Sequence, residues 1–140
     1  TFMDNGGPDY MVEFPHGYTY SAHPVACAAG IAALDVLVDD KLIDNVKSMS
    51  SKFEAAVHSL KGSPFVTDIR NYGLSAGISL AHYPGEPLRR PFEVGLKCLE
   101  KGFYVRWGGD TIQLAPPFIV DEKQIDDLIN AVGESLHEFT

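Results

Sequence analysis

The sequence is poor in cysteine, tryptophan and positive charge, and it contains no long uninterrupted apolar run. The two cysteines among its 140 residues, Cys27 and Cys98, are too few for a disulfide-stapled scaffold or a cysteine-rich zinc module. Each lies in an apolar, helix-like segment and is expected to be a small buried hydrophobe, as suits a reducing compartment. Eleven Lys and Arg against nineteen Asp and Glu give a net charge of -8. The basic residues are scattered, so no footprint for a phosphate backbone exists and nucleic acid is not an expected partner. The most apolar run, residues 24–38, is shorter than a bilayer span and carries Asp35, which argues against a membrane helix. The first residues lack the basic region and cleavage pattern of a secretory signal, so a cytoplasmic location is expected.

What is present suits an ordinary globular domain: 45% hydrophobic and 21% charged residues are enough to bury a core. The chain opens Thr1-Phe2-Met3-Asp4 without an initiator methionine, and a long loop-like stretch rich in Gly, Pro, Tyr and His precedes the first hydrophobic element. The expectation is a fragment of something longer. Pro24 at a first helical position, after Ser21 or His23 near the cap, predicts a helix. The interior of that helix, residues 25–34, is apolar all round and is expected to be buried on every side.

Beyond it, Leu42, Val46, Met49, Phe53, Val57 and Leu60 recur every three or four residues, the stripe of an amphipathic helix over residues 41–61 that stops at Gly62-Ser63-Pro64. Residues 65–70 and 74–81 read as two strands about a Tyr72-Gly73 turn. A helix over residues 90–101, ended by Gly102, leads to a strand over residues 103–106, a turn at Trp107-Gly108-Gly109-Asp110 and a strand over residues 111–114. Asp121 with Gln124 forms a variant capping box, followed by the apolar stripe Ile125, Leu128, Ile129, Val132, Leu136 and Phe139. Helices segregated from a small, mainly antiparallel sheet make the fold class α+β.

Two segments are more specific than these periodicities. Phe14-Pro15-His16-Gly17-Tyr18-Thr19-Tyr20-Ser21-Ala22-His23-Pro24 with the small residues that follow, and Gly102-Phe103-Tyr104-Val105-Arg106-Trp107-Gly108-Gly109-Asp110-Thr111, together resemble class III pyridoxal-phosphate-dependent aminotransferases. The likeness is to their ω-amino-acid:pyruvate (β-alanine:pyruvate) branch. Asp68-Ile69-Arg70-Asn71-Tyr72-Gly73-Leu74 and Arg90-Pro91-Phe92-Glu93 extend it over essentially the whole chain.

The resemblance implies the C-terminal part of a fold-type I transferase. Residues 1–38 would be the end of the large cofactor domain, with an interface loop and a connecting helix, and residues 39–140 the small C-terminal domain. It implies pyridoxal 5'-phosphate as cofactor, an amino acid and a keto acid as substrates, and a second identical subunit as partner in a homodimer or dimer of dimers. The lysine that links the cofactor would lie upstream of Thr1, so no catalytic residue is expected here and the fragment alone should be inactive. Thr19 would reach the cofactor phosphate of the other subunit, with Tyr18 contributing its backbone N–H. Arg106 would bind the substrate carboxylate, a role suited to the planar fork of a guanidinium.

Plainer readings stand beside these. Arg106 could pair with Asp110 on a strand surface, and Arg70 is expected to be structural. Lysines 41, 47, 52, 61, 97, 101 and 123 read as polar helix faces and ends. His16 and His23 match no common metal-ligand spacing, so no metal is expected. At the level of function, the alternatives are a non-catalytic binding or interaction module, or a class III aminotransferase with ornithine or γ-aminobutyrate as donor.

Overall fold

The computed structural model describes residues 17–139; the part of the aromatic loop formed by residues 5–16, with Phe14, Pro15 and His16, lies outside them. The elements in chain order are helices α1 (Pro24–Asp39) and α2 (Leu42–His58), strands β1 (Val66–Tyr72) and β2 (Ser75–Leu80), helix α3 (Arg89–Glu100), strands β3 (Arg106–Gly108) and β4 (Thr111–Leu114), and helix α4 (Glu122–His137). The chain divides into two compact units between Val36 and Leu37, in the last turn of α1.

Helix α1 begins at Pro24 as expected, and the His23 carbonyl accepts from the Cys27 N–H at 2.9 Å. The expected burial is not found: no residue of α1 is buried, and Val25, Ile31, Leu34 and Val38 are all exposed. Cys27, expected inside, is exposed with them. An all-apolar helix needs cover on every side, and the described residues do not supply it.

In the second unit the stripe of α2 is buried as its spacing predicts, with Phe53 and Val57 fully enclosed and Val46 and Met49 packed at the edge. The Asn45 amide donates to the carbonyls of Phe118 and Val120, at 2.7 and 3.0 Å, and so ties the loop before α4 to α2. Cys98 is buried, as expected, and burial pushes its thiol pKa up, which makes it an inert filler beside the Ser135 hydroxyl. No helix among the described residues is long and apolar enough to cross a membrane.

The sheet has the order β1-β2-β4-β3 and is antiparallel throughout. The expected β1–β2 hairpin forms, with Gly73 supplying a positive φ of 55° in its turn. The second hairpin differs from expectation. Residues 103–105 are not strand, β3 starts at Arg106, and Trp107 and Gly108 pair with Ile112 and Thr111 instead of forming the turn. Only Gly109 and Asp110 remain to turn the chain, and Gly109 takes a φ of 62°.

Alternation along the strands gives the sheet two unlike faces. Ile69, Ile78, Ile112 and Trp107 form one cross-strand row and pack with the helices. Arg70, Gly77, Gln113 and Arg106 form the neighbouring row, which points to the opposite face.

Helix α4 opens with the predicted capping box: the Asp121 carboxylate accepts from the Gln124 N–H at 2.7 Å, and the Gln124 amide oxygen accepts from the Asp121 N–H at 3.1 Å. Asp121→Ala should therefore destabilise this unit by about 1 kcal/mol, visible as a lower urea midpoint at unchanged slope.

Candidate functional site

The residues expected to serve a site fall in the two separate units. Tyr18 and Thr19 belong to the first, in the turns that lead into α1, and both are exposed. The Tyr18 carbonyl accepts from the Ser21 N–H at 2.9 Å, the Tyr20 carbonyl accepts from the His23 N–H at 3.2 Å, and Ala22 adopts a φ of 61°. The Tyr18 N–H donates to the Ser21 hydroxyl at 2.8 Å. The Thr19 hydroxyl makes no hydrogen bond among the described residues, which leaves a neutral donor presented outward.

Arg106 belongs to the second unit, where it opens β3 and pairs across the ladder with Gln113. Its side chain is exposed and makes no hydrogen bond or ion pair among the described residues; the pairing with Asp110 does not form. Asp110 instead accepts from the Thr111 hydroxyl at 2.8 Å. The Gln113 amide lies over Gly108, where any side chain would meet it at 2.9 Å.

Every other arginine is already engaged. Arg70, on the same sheet face, donates to Asp68 at 2.9 Å, to the Ser79 hydroxyl at 3.0 Å and to the Thr111 hydroxyl at 3.3 Å. Gly77 leaves the room this needs, because a methyl there would sit 3.3 Å from the guanidinium carbon. Arg89 bridges Glu86 and Glu93, and its hydrogen bond holds the Glu93 carboxyl below the ordinary carboxylate range. Arg90, 7% exposed, is stacked between the rings of Phe65 and Tyr83 at 3.6 and 4.0 Å, and donates to the Ala81 carbonyl. Arg106 is thus the arginine whose fork is available to an anion.

The polar face around it carries a shallow, solvent-open depression whose lining includes Arg70, Tyr72, Gly77 and Gln113. A second groove, of about 370 Å³, lies between the end of β4 and α4 and is lined by Phe103, Tyr104, Leu114, Pro116, Ile119 and Leu128 among others. It has no charged lining residue and cannot hold a carboxylate by ion pairing.

The lysines do not resemble a cofactor-linking lysine, which needs burial and a lowered pKa. Asp126 raises the pKa of Lys52, Glu100 that of Lys97, Glu138 that of Lys101 and Asp127 that of Lys123, each through a side-chain hydrogen bond. Lys41, Lys47 and Lys61 are exposed. Among the described residues no group of three or more His, Cys, Asp or Glu is placed to hold a metal ion.

The family profile of class-III aminotransferases matches residues 4–136. The chain belongs to that family. It is 51% identical over 137 residues, 98% of its length, to the beta-alanine–pyruvate aminotransferase of Pseudomonas aeruginosa, and 51% identical over 138 residues, 99% of its length, to the omega-amino acid–pyruvate aminotransferase of Pseudomonas putida. It spans 31% of the length of each of these relatives. Among solved structures, a PMP-bound aminotransferase from Vibrio fluvialis is 28% identical with a TM-score of 0.77, covering 90% of this chain and 29% of that one. Class-III aminotransferases depend on pyridoxal phosphate, and the α+β reading of this class-III chain holds: its mixed helices and antiparallel sheet are those of part of a transaminase fold.

Sequence reasoning missed the Arg70 network and the stacked Arg90, since neither follows from spacing along the chain. It also passed over Gly95, although an isolated glycine inside a helical pattern is a signal of close packing.

Proposed function

We propose that this chain is the C-terminal portion of an aminotransferase that moves an amino group between an ω-amino acid such as β-alanine and pyruvate, working as a dimer of identical subunits. The observation that carries the reading is Arg106, without a partner among the described residues, on a polar sheet face in a chain half identical to enzymes named for that exchange. In this reading Arg106 grips the carboxylate of the amino acid in one half-reaction and of the keto acid in the other. One planar fork serves both, because the two substrates share that group.

The donor set fits the phosphate end of pyridoxal phosphate. The outward Thr19 hydroxyl is a neutral donor for a phosphate oxygen, and the Tyr18 N–H would join it by exchanging its bond to Ser21. The seven lysines, ion-paired or exposed, do not suit the linking role, and on this reading the full-length protein supplies that lysine from elsewhere. When bound, the cofactor supplies the electron sink for the chemistry; these residues bind and orient. Residues 1–38 belong, on this reading, to the end of the cofactor domain and residues 39–140 to the small domain.

The full-length protein is expected to form alanine from β-alanine and pyruvate, measured as product over time; no alanine from cofactor-loaded protein overturns the proposal. Thr19→Ala should weaken cofactor binding by about 1 to 3 kcal/mol, the scale of a hydrogen bond to a charged group. Titration of the cofactor-free protein followed by absorbance reads this directly, and equal affinity would remove Thr19 from the phosphate site.

A further inference from the structure

Strand β3 has three residues and, among the described residues, pairs with β4 alone, so its ladder fixes it weakly. Its second anchor is the side chain of Trp107. A Cβ built on Gly95 of α3 would lie 2.6 Å from Cε3 and 2.8 Å from Cζ3 of the indole, so the ring occupies the space that any side chain at position 95 would fill. Phe92, three residues earlier on the same helix, meets the indole edge-on with ring centroids 5.6 Å apart and planes at 73°. The ring is therefore held by a notch and a wall on one helix.

Neighbouring side chains of a strand point to opposite faces. Seating Trp107 against α3 determines both how close β3 lies to that helix and how it is rotated about its own axis, and Arg106 must then project from the polar face. We infer that Gly95 and Trp107 form a lock that positions Arg106 for the substrate carboxylate; this rests on the reading of Arg106 given above. Gly95 touches no substrate on this view and acts only through the strand. The need for such a lock follows from the geometry of a two-pronged contact, which tolerates roughly 0.5 Å and 10–20° of misplacement.

The test compares donor half-reactions in the full-length protein with β-alanine and with propylamine, which has no carboxylate. Gly95→Ala is expected to raise KM for β-alanine on the order of tenfold, with kcat and the propylamine constants within about twofold. The double variant Gly95→Ala/Trp107→Phe, whose smaller ring vacates the region of Cζ3, should recover the β-alanine KM. Equal losses for both donors, no loss for either, or no recovery in the double variant overturns the lock. Should Gly95→Ala not fold, Trp107→Phe alone decides: a looser strand must raise KM for β-alanine selectively, and an unchanged value overturns the lock. Arg106→Ala measured alongside separates the two failures. An unchanged β-alanine KM in that variant removes the carboxylate role itself, whereas a raised one with Gly95→Ala unaffected removes only the lock.

Discussion

Arg106→Ala in the full-length protein is expected to lower kcat/KM for β-alanine by roughly 30- to 900-fold, equivalent to about 2 to 4 kcal/mol, the scale for deleting one partner of a charge-assisted pair. The size follows from the company the side chain keeps. No carboxylate among the described residues holds the guanidinium, so its deletion leaves none of these anions stranded and the loss falls on the substrate. Arg106→Lys should recover little of it, because an ammonium keeps the charge but cannot make two parallel bonds. The decisive quantity is the ratio of kcat/KM for β-alanine to that for an amine without a carboxylate. A ratio that stays constant when Arg106 is removed would take the residue out of the substrate site.

Phe53→Ala is expected to cost about 3 to 5 kcal/mol of stability, as for other fully buried aromatic side chains cut to a methyl. Phe53 is completely enclosed at the centre of α2, in the same core cluster as Ile78, Ile112 and Leu136 from the sheet and α4. The loss is a large part of the roughly 5 to 15 kcal/mol that holds a typical domain. Urea denaturation should show a much lower midpoint, and a shift no larger than that of Asp121→Ala would mean that the core closes over the gap.

These two residues also show where sequence reading succeeds and where it stops. Phe53 was legible because one amphipathic helix carries its own period, and the same holds for α4, whose cap is written in Asp121 and Gln124. The β1–β2 hairpin was legible for a similar reason, with a glycine in the turn between two alternating runs. The β3–β4 hairpin was misplaced because Gly108 and Gly109 offer two ways to turn. In the structure Trp107 lies in the ladder and seats on Gly95, a contact between different elements that no local pattern announces, and the turn falls at Gly109. Helix α1 shows another limit: its composition states that it needs cover, but not where the cover comes from. Arg106 and Thr19 were singled out through motif resemblance; the added finding is that Arg70, Arg89 and Arg90 are occupied, which depends on partners distant in the chain.

The occupation of Arg70 sets the valence of the polar face. Two guanidiniums share one row of the sheet, but the first is ion-paired with Asp68 and gives two more of its five N–H donors to the Ser79 and Thr111 hydroxyls. Among the described residues, only one positive charge on that row is left without an anionic partner, enough for a single acid group. If Arg106 grips the substrate as proposed, a keto diacid would have to leave its second acid group in water or find a cation from outside this face, and a monoacid such as pyruvate would be the better match.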